Sequence, residues 1–226
     1  MSMSYYVAPE QMIRDKAEFA QKGIARGRSL IAAVYQAGVV VVAENPSVSL
    51  NKVSEIYDRI AFAGVGKYNE YDRLREGGIR WADQTGFTYS REDVDARALA
   101  NYYAQHMGDM FTDGAKPLEV EVLVIQLASA QQASKIYHVA FEGTITDEPQ
   151  FAVIGGESEL IRARVAEQFD PAASFSEQIQ HCVTALSGAE RTLPVQDLEI
   201  ARLEDIGERR TFKRLTDAEV SEILAS

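Results

Sequence analysis

The chain has little with which to cross-link itself: among its 226 residues there is one cysteine, Cys182. A secreted scaffold stapled by internal disulfides is thereby excluded, and a lone thiol suits a reducing compartment. Long apolar runs are also missing. Residues 39–43 form an apolar stretch far short of the roughly 18 residues a membrane span needs. The first ten residues lack a basic region followed by an apolar one, so they do not read as a secretory signal and the expected location is cytoplasmic. Basic charge is in deficit. With 23 Lys plus Arg against 34 Asp plus Glu, the net charge is -11, which argues against a nucleic-acid backbone or an anionic membrane as partner. No repeat and no low-complexity linker divides the chain.

What is present is an ordinary globular composition, 46% hydrophobic and 25% charged. A domain of this length buries roughly 70 to 75% of the surface its unfolded chain exposes, enough to need no metal staple. Residues 9 to 22 read as a helix with Pro9 in its first turn, a stripe of Met12, Ile13, Phe19 and Ala20, and Gly23 as its stop. Residues 29 to 35 and 39 to 43 read as a strand pair, and 52 to 66 as another. Two helices follow. The first spans about 68 to 83 and carries Gly77-Gly78, which implies a close backbone approach. The second is assigned a cap of Ser90 with Asp93 and a stripe of Leu99, Tyr102, Tyr103, His106, Met107 and Met110. Further strands are expected at 118–128, 135–141, 144–146 and 151–154, helices at 158–169 and 174–187, then strands at 195–203 and 210–215. Thr216 with Glu219 caps a last helix. Hairpin-like strand runs separated by helix pairs do not fit a doubly wound sheet. Two sheets between two helix layers use every element.

Chemistry is sparse. Gly64-Val65-Gly66-Lys67 has the Gly-Lys of a phosphate loop, but Ala61 and Tyr68 stand where that loop needs a glycine and a Ser or Thr hydroxyl, and Asn69 replaces the third glycine of a dinucleotide loop. A tight strand-to-helix turn is the better reading. His106, His138 and His181 have no metal-ligand spacing, and His106, on an apolar stripe, reads as a core histidine. His181 and Cys182 point apart on their helix, and no Gly-x-Ser-x-Gly elbow occurs. No catalytic residue, metal or cofactor is assigned.

Ordered segments carry a resemblance that no single motif does. Lys22-Gly23-Ile24-Ala25-Arg26, Val42-Ala43-Glu44-Asn45-Pro46-Ser47, Ser49-Leu50-Asn51-Lys52, Glu55-Ile56-Tyr57-Asp58-Arg59, Gly66-Lys67-Tyr68-Asn69-Glu70 and Arg75-Glu76-Gly77-Gly78-Ile79 resemble the α-subunits of the 20S proteasome, actinobacterial branch. Leu99-Ala100-Asn101, residues 115 to 121 and Asp147-Glu148-Pro149-Gln150-Phe151 extend the match over nearly the whole chain.

The resemblance implies an α+β, four-layer αββα sandwich of the N-terminal-nucleophile hydrolase class, in a non-catalytic member with an extra leading helix. It implies one domain over residues 9–226 behind a gate tail. It further implies a heptameric ring with six further α-subunits, stacked on β-subunit rings in the order α7-β7-β7-α7, with protein substrates passing through. In that family a catalytic β-subunit needs an N-terminal threonine, activated by a lysine and an aspartate. Here the first strand begins at Arg28-Ser29 inside a continuous chain, Glu44 matches the aspartate, and Lys52 matches the lysine. A self-sufficient N-terminal-nucleophile amidohydrolase is the alternative reading.

By resemblance, Met1, Ser2, Met3, Ser4, Tyr5, Tyr6, Val7 and Ala8 form the gate, with Pro9 as its turn. Lys52, Glu18 and Gly66 match an inter-subunit pocket that receives the C-terminal tails of an AAA ring ATPase, in degradation of tagged proteins by the pupylation pathway. Thr112, Asp113, Gly114, Ala115 and Lys116 match the loop lining the axial entrance. Ala115-Lys116-Pro117 departs from the archaeal pattern there, and the archaeal Tyr-Asp-Arg start is absent.

Overall fold

A computed structural model describes residues 8–129, 132–207 and 210–225. Its central strands are apolar at nearly every position because both of their faces are covered. β1 (Leu30–Tyr35) and β2 (Gly38–Glu44) form a tight antiparallel pair, Leu30 opposite Ala43 and Tyr35 opposite Gly38. Leu30, Ala32, Val39, Val41 and Ala43 point to one layer, and Ile31, Ala33, Val40 and Val42 to another, as the two-residue period of a strand requires.

β3 (Val53–Tyr57) and β4 (Ile60–Gly66) form the second pair, with a bulge between Glu55 and Tyr57. The remaining strands are β5 (Val120–Gln126), β6 (Lys135–Val139), β7 (Ile145–Glu148), β8 (Phe151–Ile154), β9 (Leu198–Glu204) and β10 (Phe212–Arg214). They pair into two antiparallel five-stranded sheets, ordered β10-β9-β2-β1-β8 and β3-β4-β5-β6-β7.

Helices close both outer faces. α2 (Tyr68–Thr88) and α3 (Ala96–Thr112) cover the second sheet through Tyr71, Leu74, Leu99, Tyr103 and Met107. α4 (Ser158–Gln168), α5 (Phe175–Ser187) and α6 (Asp217–Ala225) cover the first through Ile161, Val165, Ile179, Leu186 and Val220. The αββα order is the one expected. α1 (Pro9–Ala25) lies across this framework, touching β4 and β5 and burying Ala20 and Ile24 near Phe141.

Several local expectations change. Ser90 caps a short 3-10 turn, Arg91–Asp93, whereas Asp95 caps α3 by accepting from the Ala98 N–H at 2.9 Å. His106 is exposed, because the stripe expected on α3 is wider than the face it buries. On α1 the expected stripe splits: Ala20 is buried, while Met12, Ile13 and Phe19 are 50%, 56% and 47% exposed. Residues 195–197 form a 3-10 turn before β9, and 118–119 and 127–128 lie outside β5. The Ser174–Glu177 capping box forms as expected.

Candidate functional site

The link from α1 to β1, the end of β4 and the start of β3 come together. The end of α1 runs into Arg28-Ser29 and β1, and Gly156 N–H donates to the Gly27 carbonyl at 3.0 Å. A Cβ on Gly27 would lie 3.1 Å from the Gly66 nitrogen, so β4 ends against this link. Gly66 has φ +108, and a side chain there would overlap the Glu119 carbonyl; only glycine fits without strain. Lys52 enters from the start of β3, its ammonium donating to the Arg28 carbonyl at 2.5 Å. The Arg28 link therefore joins Lys52 and Gly66, two of the three expected pocket residues. Glu18 stands apart on α1, its carboxylate 3.3 Å from Lys22, both side chains largely exposed.

Charges around Lys52 are paired. Glu44, nearly buried at the end of β2, meets Arg28 at 3.1 Å and the two Arg191 guanidinium nitrogens at 3.2 and 3.1 Å. A cavity of about 430 Å³ opens beside them, lined by Arg26, Arg28, Ser29, Glu44, Glu157 and Arg191 among others. Glu199, on β9 and also buried, accepts from the Lys52 N–H at 2.8 Å, the Val53 N–H at 3.1 Å, Asn45 Nδ2 at 2.8 Å and Arg214 Nε at 3.3 Å. Burial pushes the Lys52 ammonium down to about 8; Glu199 and Glu44 oppose that fall and Arg28 adds to it. A half-buried lysine with this environment can hold one carboxylate strongly, because the cost of taking its charge from water is already met in part by the fold.

An N-terminal nucleophile is not assembled here. The Ser29 nitrogen is bonded to Arg28 within the chain, and its hydroxyl donates to the Gly156 carbonyl. Lys52 and Glu44, the residues matching a catalytic lysine and aspartate, are spent on backbone and arginine contacts. Cys182 is buried, and burial lifts its thiol to about 12, which leaves it inert. Among the described residues no group of three histidines, cysteines or carboxylates could hold a metal ion, and no helix is long and apolar enough to cross a membrane.

The loop at 112–116 is held from both sides. Lys16 on α1 donates to the carbonyls of Phe111, Thr112 and Gly114 at 2.9, 3.1 and 3.0 Å. Lys116 meets Glu70 at 2.8 Å and Glu119 at 2.6 Å, and sits 5.5 Å from the centre of the Phe19 ring. Burial disfavours ionised Glu70, yet Lys116 and the Glu119 N–H outweigh it and hold its carboxyl below the ordinary value. The expected gate residues Met1 through Val7 lie outside the described residues; Ala8 is exposed and Pro9 opens α1.

Sequence reasoning missed Glu199, Asn45, Arg191 and Arg214. For Glu199 a signal existed. Leu198 and Ile200 face the helix layer, so strand alternation places Glu199 with Ala201 and Leu203 on the face between the sheets.

A family model described as Proteasome, proteasome subunit, matches residues 24–200. The chain is 53% identical over 224 residues to proteasome subunit alpha of Acidimicrobium ferrooxidans, covering 99% of this chain and 97% of that protein. It is 48% identical over 231 residues to proteasome subunit alpha of Mycolicibacterium smegmatis, covering 99% and 94%. With proteasome subunit alpha of Sanguibacter keddieii the identity is 46% over 231 residues, covering 100% and 91%.

Proposed function

The chain belongs to the proteasome subunit family as an alpha subunit, and from that premise we propose that it forms the outer ring, gate and docking platform of a protease core. Six further copies complete the ring. β-subunits stacked beneath it carry the nucleophile, and this chain supplies none. Substrate proteins pass through the ring, and a ring ATPase docks by its C-terminal tails in the degradation of tagged proteins in the cytoplasm. Residues 9–226 act as one domain behind a tail of residues 1–8.

The observation that carries this reading is the leading helix. α1 ties itself to the loop at 112–116 through Lys16 and still leaves Met12, Ile13 and Phe19 about half exposed, an apolar face that no helix or sheet layer covers among the described residues. A neighbouring copy in a ring would cover it. Lys52, held at the Arg28 link, supports docking of a tail carboxylate, with Gly66 nearby and Glu18 of α1 at the subunit boundary.

The test is peptide cleavage by the particle assembled with its β-subunits. Removing residues 1–8 is expected to raise cleavage of short peptides several-fold, and an unchanged rate would remove the gating role. Amide hydrolysis by this chain without β-subunits would instead support the self-sufficient hydrolase.

A further inference from the structure

We propose that Glu199 is the positioning residue of the docking site: from β9, without touching a partner, it fixes where Lys52 stands. The inference rests on the docking reading of Lys52. Lys52 follows a loop, residues 45–51, whose exposed residues include Val48 and Leu50. A lysine at the end of such a loop would wander, and a wandering ammonium binds a carboxylate with the entropy cost of its own ordering.

Glu199 removes that freedom at both ends of the loop. Its Oε2 takes the Lys52 N–H and Asn45 Nδ2, each at 2.8 Å, and the same Asn45 amide donates to the Leu50 carbonyl at 2.7 Å. Its Oε1 takes the Val53 N–H and Arg214 Nε. Arg214, on β10, also donates to the Val53 carbonyl. The start of β3 is thereby bound to an element more than 140 residues away in sequence, with Lys52 N–H pointing at the carboxylate and Nζ at Arg28.

Electrostatics give Glu199 a second effect. The charged groups facing Lys52 are Glu199 from β9, Glu44 from β2 and Arg28 from the link before β1, with Arg214 from β10 and Arg191 behind the two carboxylates. Burial draws the ammonium toward neutrality and the two carboxylates oppose it. A carboxylate ligand needs the protonated form. Docking is thus present below the Lys52 pKa and lost as pH rises through it, and losing the Glu199 charge moves that loss to lower pH.

The experiment uses assembled particles and, as probe, a synthetic peptide of the ATPase C-terminus, made with a free carboxylate and as the carboxamide. Stimulation of fluorogenic-peptide cleavage is titrated between about pH 6 and about pH 9, a range spanning a lysine lowered in this way. In the unaltered particle only the free carboxylate stimulates, with half-loss near pH 8. Glu199→Gln is expected to raise the half-maximal probe concentration about tenfold, the equivalent of one weakened charge-assisted bond, and to keep the plateau rate. Its half-loss shifts to lower pH.

Glu199→Asp keeps the charge one methylene further back. It should retain most of the pH midpoint while raising the half-maximal concentration about threefold, a smaller loss of the same contact. If Glu199→Gln particles of full native mass keep the original concentration and midpoint while Lys52→Ala abolishes stimulation, docking stands and the positioning role is overturned. Should Glu199→Gln not assemble, unchanged values in Glu199→Asp overturn it equally. If Lys52→Ala leaves stimulation intact, the docking reading itself fails, and the positioning role with it.

Discussion

Gly78 shows how one absent methyl sets the spacing of two helices. A Cβ there would overlap the Tyr103 hydroxyl and stand 2.7 Å from its Cζ, with Leu99 Cδ1 at 3.3 Å, all within the buried layer under α2 and α3. The glycine pair announced a close approach, but not which residue approaches. Alanine is the better helix former by about 1 kcal/mol, and the overlap costs about 1 to 3 kcal/mol, so Gly78→Ala is expected to lower the melting temperature. Thermal unfolding of the purified chain checks this; an unchanged or raised midpoint would mean that Tyr103 moves aside at no cost. His106 teaches the opposite lesson. It shares the three- and four-residue spacing of Tyr103 and Met107, yet is exposed, because a helix lying on a sheet buries a narrower arc than its apolar pattern covers.

Among elements, α1 and the end of α3 are one mechanical unit. The Lys16 ammonium stands at the carbonyl end of α3, where the helix dipole and the orphan carbonyls favour a cation. Lys16→Met leaves those three carbonyls to water and unpins the loop. Amide exchange at residues 111–116 is expected to speed up at least several-fold while β5 stays protected, and equal rates in the two proteins would refute the coupling. The residues Ser90, Asp93 and Asp95 explain why the sequence pattern starts α3 at Ser90 and the structure starts it after Asp95. Each is a good cap, and sequence spacing alone does not rank them. The Asp95 cap prevails because the chain first turns through Arg91–Asp93, where Arg91 reaches Asp58 of the β3–β4 turn, and Ala96 N–H then donates to Gln126 Oε1 at 3.0 Å. Those contacts are tertiary, and no local signal carries them.

At the scale of the molecule, charge and apolar exposure are divided. Residues 1–28 carry five basic and three acidic side chains, so the remainder of the chain bears a net -13. α1, which is itself net neutral, carries the outward Met12, Ile13 and Phe19, and this suits contact between copies that otherwise repel. Ile13→Glu together with Phe19→Glu is expected to leave the thermal midpoint of the single chain within a few degrees, since neither side chain is buried in it, and to prevent rings. Native mass spectrometry decides: rings of normal mass from the double variant would show that this face is not a subunit contact.

By itself, the sequence determined the layers. Strands apolar at nearly every position must be covered on both sides, and capped amphipathic helices supply the cover, so the αββα order was legible from pattern alone. The ordered segments also named the family, and through that resemblance Lys52 and Gly66 were expected at the docking pocket. Only the tertiary structure decided how Lys52 is held. Its fixing depends on the β2–β9 register, which places Glu44 opposite Leu198 and so brings Glu199 to the start of β3. Pairing between residues so far apart in sequence is set by how the sheets close, and a sequence states the partners of such a bond without stating that they meet.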